Sequence, residues 1–438
     1  MSKAPNLLFL FSDQHAAKVA GCYGDPLVQT PNLDRLAARG VTFDNAYCPA
    51  PICVPSRMAL HTGRWPKNQH VWINSDMLPS DLPTMAHSLA ISGRRPTLVG
   101  RMHSLGPDQL RGYSERLVGD HSSNWPGIGS NHDMGPLGHA HLPNRDSLSN
   151  AGCGQSSYEA HDVDVVEAAC AHLDALGERR RSGDATPFAA TVGFMLPHNP
   201  YVARPEDYRL YEGRVGLPGI PAAPAGEEHP YIAAWRDHSG CRDVDEASIL
   251  RARTAYYGLV TRLDTMIGQV LDALERNGLA EDTLIVYASD HGDLIGEHGL
   301  WWKMSFYEDS VRVPVILSGR AACPRGAARA GRQPDRPDGD HAGRDGCPAP
   351  APCRWPQLSR VARDAATPGS TRPSASTART ASPPASARTR SSSAWSAAVA
   401  GSSSTTTGCR RSSSTSRPTR RNAATWRASP PSPPCATR

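Results

Sequence analysis

The chain lacks any long hydrophobic run. Its first apolar stretch, Leu7-Leu8-Phe9-Leu10-Phe11, gives way to Ser12-Asp13 after five residues. That is far short of the roughly 20 needed to cross a bilayer, and it suits a buried strand. No small-residue cleavage site follows a longer apolar segment, so no secretory signal is read there. Paired C-x-x-C spacing is missing among Cys22, Cys48, Cys153, Cys170 and Cys241. Eleven cysteines without a secretion signal imply reduced thiols in a cytoplasmic protein, not a disulfide framework.

Acidic residues are absent from one region only. Residues 365–438 contain no Asp or Glu and eleven Arg, which leaves 36 basic against 42 acidic side chains in the preceding 364. The body is mildly acidic, which argues against a nucleic-acid or anionic-membrane partner. No Lys follows Lys303, no Tyr follows Tyr307 and no Leu follows Leu358. A segment so poor in apolar residues cannot offset the entropy of ordering it. Residues 321–438 are therefore expected to carry no native fold, as out-of-frame translation of a GC-rich gene or as a disordered basic tail. An Arg-rich nucleic-acid arm is disfavoured because dense basic clusters are lacking.

Before residue 320 short apolar strands alternate with helical stretches. Strands are read at Asn6–Phe11, Arg95–Val99, Phe188–Phe194, Thr283–Ala288 and Val313–Leu317. Helices are read at Pro31–Arg39, Thr84–Ser92, Val163–Leu176 and about Glu246–Arg276, with Gly40 and Gly278 following two of them. This alternation predicts an α/β fold with a large, mostly parallel sheet flanked by helices. Chemistry in such sheets collects at the carboxyl ends of the strands, and two strands there run into acidic doublets, Asp13-Gln14 and Asp290-His291. Residues 105–160, rich in Gly, Asn, His and Pro, read as loops over that face.

The sharpest signal is Cys53-Val54-Pro55-Ser56-Arg57 with Leu60-His61-Thr62-Gly63-Arg64 downstream. With Thr30-Pro31-Asn32-Leu33-Asp34, Tyr256-Tyr257, Asp264 and Asp290-His291-Gly292, it resembles the type I sulfatases of the alkaline phosphatase superfamily over about residues 5–320. The resemblance implies an alkaline-phosphatase-like sandwich whose smaller C-terminal subdomain is missing or scrambled here. It implies that Cys53 is oxidised to formylglycine by a formylglycine-generating enzyme. Asp13, Gln14, Cys53, Asp290 and His291 would hold one divalent metal. Three side-chain oxygens suit Ca²⁺ or Mg²⁺, and the imidazole moves the preference toward Mn²⁺. The hydrated aldehyde would attack sulfur in a two-step covalent route, making the protein a sulfuric ester hydrolase.

By the same resemblance Arg57 would hold the aldehyde hydrate, and His103 would take a proton from its second hydroxyl. Lys303 and His198 would contact sulfate oxygens, with His198 as acid for the leaving alcohol. Arg101 stands where the family usually has lysine, a substitution that keeps charge but not shape. Arg101 and Asn74 are the substrate-binding candidates. Gly106-Pro107-Asp108-Gln109-Leu110, Glu115-Arg116-Leu117 and Trp302-Lys303-Met304 look like the choline-sulfatase branch, and both metal doublets also resemble the phosphonate monoester hydrolases. A small sulfate ester such as choline sulfate is the expected substrate, with Trp125 as one wall for a cationic headgroup. A phosphonate monoester or phosphodiester hydrolase on the same site and an inactive product of a frameshifted gene are the alternatives. Homo-oligomerisation is compatible with all of them. His132, His139 and His141 match no zinc-ligand spacing and read as loop histidines.

Overall fold

The computed structural model describes residues 5–121, 137, 139–224 and 226–319, together with the backbone of residues 353–354. Trp125, His132 and nearly all of the basic C-terminal region lie outside the described residues.

Seven strands form the main sheet: β1 (Asn6–Asp13), β2 (Gly40–Thr42), β3 (Arg95–Gly100), β4 (Glu115–Arg116), β5 (Phe188–Pro197), β6 (Thr283–Ser289) and β7 (Val315–Ser318). Their order is β2-β7-β6-β1-β5-β3-β4. From β6 to β4 every pairing is parallel, whereas β7 runs antiparallel to both β6 and β2. The sheet is thus mostly parallel with an antiparallel edge. The short edge strands β2 and β4 were not legible, because two or three residues carry no periodicity. Cys353–Arg354 pairs in parallel with Ala46–Tyr47 outside this sheet.

The period-2 alternation of β1 divides its side chains between two cores. Leu8 and Leu10 pack with residues of two long helices, α3 (Ser157–Arg181) and α4 (Glu246–Arg276). Leu7, Phe9 and Phe11 pack on the other face with Leu60, Met85 and Leu89. Every residue of β1 is buried, as a strand covered on both faces requires. Helix α4 spans the limits expected for it, capped by the Asp245 side chain at its N-terminus. Helix α3 begins six residues earlier than its apolar pattern, where Ser156 caps it.

Two motif segments prove to be braces for the sheet. The Asp264 carboxylate on α4 accepts the backbone N–H groups of Asn32 and Leu33, the first turn of α1 (Pro31–Ala38). Tyr256 accepts from the Ala16 N–H and donates to the Gln14 carbonyl, pinning the chain just past β1. Parallel pairing puts the ends of β1, β3, β5 and β6 on one edge. Gly193 is required there, since a Cβ on it would sit 1.9 Å from the Arg101 carbonyl oxygen.

Candidate active site

Cys53 is the first residue of helix α2 (Cys53–Thr62), which opens after extended Ile52 and closes on left-handed Gly63. Pro55 falls in the first turn, where its missing N–H costs nothing. The Val54 N–H donates to the Asn74 side chain at 2.9 Å, so Asn74 caps the start of α2, with its oxygen turned to the backbone. Ser56 donates to the Asp290 carbonyl at 2.6 Å and ties the helix to the end of β6.

Below Cys53 the ends of β1 and β6 bring two carboxylates and an imidazole together. The Cys53 sulfur lies 3.3 Å from His291 Nε2 and 3.8 Å from Asp13 Oδ1. His291 Nε2 is also 3.6 Å from Asp290 Oδ1 and 3.7 Å from Asp13 Oδ1. His291 Nδ1 faces the Gly292 carbonyl at 3.0 Å. A carbonyl only accepts, so Nδ1 carries a proton; burial lowers the ring but Asp290 and Cys53 raise it on balance, and in its neutral form Nε2 turns a lone pair to the cluster. Ligand atoms of Asp13, Cys53, Asp290 and His291, all buried, lie within 4.8 Å of one another.

Gln14 departs from the expected ligand set. Its Oε1 accepts from Lys303, and its Nε2 donates to Asp293 at 2.7 Å and Asn199 at 3.2 Å. Its backbone N–H instead donates to Asp290 Oδ1 at 3.0 Å. Four of the five expected ligands therefore converge, and the Gln14 side chain bridges to the opposite side of the site.

Arg57 also differs from expectation. Its Nε donates to Asp290 Oδ2 at 2.8 Å and its Nη2 to Asp13 Oδ2 at 3.0 Å, with Phe11 stacked beneath the guanidinium. The fork bridges the two carboxylates. Burial and the adjacent Cys53 push Asp13 upward, but Arg101 and Arg57 hold it well below the usual carboxylate range. Burial raises Asp290, with Arg57 opposing.

His103, Arg101, His198 and Lys303 line the other side of Cys53. His103 and His198 both lie beside the sulfur. Burial alone would raise the thiol, yet the charges of Lys303 and His291, with His103 and His198 beside them, bring it well below its ordinary value. Lys303 Nζ reaches His198 Nε2 at 2.8 Å, and His198 Nδ1 faces the Asn199 carbonyl at 2.6 Å. Burial and Lys303 push His198 down to about 4, so its ring is neutral at pH 7. Arg101 Nε donates to Asp13 Oδ2 at 2.5 Å.

Several functional neighbours carried no sequence signal beyond being polar residues in loops or on a helix. Asp120 accepts the N–H groups of Met102 and His103 and pairs with Arg116. Asp162, from α3, accepts those of Met195 and Leu196 at the end of β5. Asp293 accepts from Gln14 and Tyr201 and from the backbone N–H groups of Ile295 and Trp302. Tyr158 packs its edge against the His198 ring, centroids 5.7 Å apart. His139 is exposed, and His141 packs near Tyr158.

The family model described as Sulfatase matches residues 5–333. A choline-sulfatase of Rhizobium meliloti is 35% identical over 326 residues, 73% of this chain and 64% of its own length. An arylsulfatase of Clostridium perfringens is 25% identical, covering 72% and 68%. The crystal structure of a phosphonate monoester hydrolase of Agrobacterium radiobacter superposes with a TM-score of 0.58 at 25% identity, covering 72% of this chain and 68% of that one. The chain spans less than two thirds of the length of the choline-sulfatase it matches.

Proposed function

Because this chain belongs to the sulfatase family, we propose that it hydrolyses sulfate monoesters at Cys53 after conversion of that residue to formylglycine, with one divalent metal beside it. The observation that carries this reading is the position of Cys53. It opens a helix, it touches His291 and Asp13, and it faces His103, His198 and Lys303 on its other side.

The donor set fits a hard or borderline divalent cation. Two carboxylates and an imidazole with its lone pair turned inward are buried together, which suits Ca²⁺ with Mn²⁺ or Mg²⁺ as alternatives. Asp13, Asp290, His291 and the side chain at position 53 would hold it. Bound there, the metal would polarise a sulfate oxygen and the hydroxyl of residue 53.

The remaining chemistry belongs to the chain. Arg57 keeps Asp13 and Asp290 at their separation and offsets their charge. Lys303 offers an ammonium to an ester oxygen. The neutral His198 ring accepts from Lys303 at Nε2, so Lys303 holds the proton next to the departing alcohol. The site stays electrostatically tight because these groups are buried, where each hydrogen bond to a charged atom is worth more than in water.

Choline sulfate or a related small sulfate ester is the substrate best supported, on the 35% identity to the choline-sulfatase. The structural likeness to the phosphonate monoester hydrolase carries the second reading, since both tetrahedral esters fit the same metal and nucleophile. Among the described residues no helix is long and apolar enough to cross a membrane.

The test is release of anion from choline sulfate, an aryl sulfate and an aryl phosphonate by protein co-expressed with a formylglycine-generating enzyme, beside Cys53→Ala. Turnover of a sulfate that vanishes in the variant supports the proposal. Turnover of the phosphonate alone selects the second reading. Confirmed aldehyde with no turnover of any of the three overturns both.

A further inference from the structure

Arg101 replaces the lysine usual at its position in the family, and its surroundings give that replacement a specific consequence. Its guanidinium forks. Nε donates to Asp13 Oδ2 at 2.5 Å and Nη2 meets His103 Nδ1 at 2.9 Å. A guanidinium has five donors and no acceptor, so Nδ1 of His103 must be the acceptor in that contact. The proton of the neutral ring then sits on Nε2. The backbone reinforces the geometry: His103 is held at φ 58° while its N–H and that of Met102 donate to the Asp120 carboxylate. His103 lies beside the Cys53 sulfur.

The opposite ring is fixed the other way. His198 Nδ1 lies 2.6 Å from the Asn199 carbonyl, which can only accept, so that nitrogen carries the proton. Nε2 of His198 accepts from Lys303, and the ring lies beside the Cys53 sulfur. Two histidines thus flank residue 53 in opposite tautomers.

We propose that Arg101 is a positioning residue that fixes the proton of His103 on Nε2, so that His103 meets residue 53 as a hydrogen-bond donor and His198 Nε2 is the ring nitrogen that can accept. This reverses the role expected for His103 from the family resemblance. It rests on the reading of residue 53 as the nucleophile. A lysine carries all its donors on one nitrogen, whereas the guanidinium reaches Asp13 and His103 through two different nitrogens, so here the fork specifies the tautomer.

The tautomer is read directly on the full-length protein with Cys53 unmodified, by long-range ¹H–¹⁵N correlation spectra of protein labelled at histidine. The His103→Asn variant assigns the His103 signals by their loss. The expected result is a single Nε2–H pattern for His103 near neutral pH; an Nδ1–H pattern overturns the proposal. In Arg101→Met the pattern is expected to become a mixture, and an unchanged pure Nε2–H pattern overturns it. Should Arg101→Met fail to fold, the pattern of the unsubstituted protein decides alone: Nε2–H supports the proposal and Nδ1–H overturns it. With the aldehyde-bearing enzyme, Arg101→Met is expected to lower kcat on an aryl sulfate by roughly 10- to 100-fold while KM moves by less than about 3-fold. A KM-only effect marks Arg101 as a simple anion contact and overturns the proposal. If no sulfate ester is turned over at all, the function fails while the tautomer measurement still decides this inference.

Discussion

Asp13 and Asp290 sit at the ends of two directly paired strands, with His291 next in sequence, and one guanidinium braces both carboxylates. His103, His198 and Lys303 instead lie on loops, and other polar groups hold the backbone or ring of each. Asp120 holds the His103 backbone, Asp162 holds the strand end before His198, and the residues flanking Lys303 sit at φ 61° and 73°. The proposed cation side is therefore built by sheet register, and the proposed ester side by a shell of buried polar contacts. Damage to the first should remove the site, whereas damage to the second should detune it.

The harshest way to break that contrast is Arg57→Leu. It leaves two buried carboxylates without their shared partner, and removing one member of a buried ion pair costs about 3–5 kcal/mol. We expect a large fall in the thermal midpoint and loss of turnover by roughly 100-fold or more, because misplaced ligands misplace the nucleophile. A variant with normal stability and activity would show that the carboxylates are not held by this fork.

Next in size is Asp290→Asn. It keeps the shape but removes a charge from the cluster, and it weakens the acceptor of the Gln14 and His291 N–H groups. Calorimetric titration with Ca²⁺ or Mn²⁺ is expected to show affinity lower by more than about 10- to 100-fold, the range already seen for indirect partners of metal ligands. Unchanged affinity would place the metal elsewhere.

On the ester side the expected effects are smaller. Asp120→Asn keeps one acceptor for the His103 N–H and gives up the charge paired with Arg116. A loss of kcat of roughly tenfold, about 1.4 kcal/mol of barrier, with metal affinity unchanged would confirm that this half is tuned separately. A parallel loss of metal affinity would collapse the two halves into one network.

Legibility in the sequence follows the same division. The doublets Asp13-Gln14 and Asp290-His291 could be placed because apolar strands announce their ends, and parallel strands put those ends on one edge. Helix α4 was legible from its period and caps. Asp120, Asp162 and Asp293 were not, since an aspartate in a loop looks like any turn residue until its N–H partners are seen, and Asp162 on a helix looks like a solvated charge. The bracing role of Arg57 was equally hidden. Its chemistry as a cation is written in the sequence, but which anion it meets is decided by the meeting of β1, β6 and α2. The orientation of Gln14, with its oxygen toward Lys303 and its amide toward Asp293, follows from the same tertiary contacts.

The smallest effect tests a residue behind the nucleophile helix and outside both halves. His61, on α2, is fully buried against Tyr113, and neither ring nitrogen has a hydrogen-bond partner. Burial, with Arg57 and Arg111 nearby, drives it down to about 3 from an ordinary value of 6.5. Above pH 6.5 the ring is neutral whether the chain is folded or not, so it contributes nothing to pH dependence. As pH falls from 6.5 toward 3 the unfolded chain takes up a proton that the folded one refuses, and stability is lost across that window. His61→Leu removes this loss and two unsatisfied polar atoms. It is expected to raise the unfolding free energy at pH 5 by about 1–2 kcal/mol, and by less at pH 7.5, with turnover at pH 7.5 unchanged. Denaturant titrations at the two pH values decide the point: equal changes at both would mean that His61 is protonated in the fold, and that the apolar seat of α2 holds a counter-charge where the structure shows only Tyr113 and arginines.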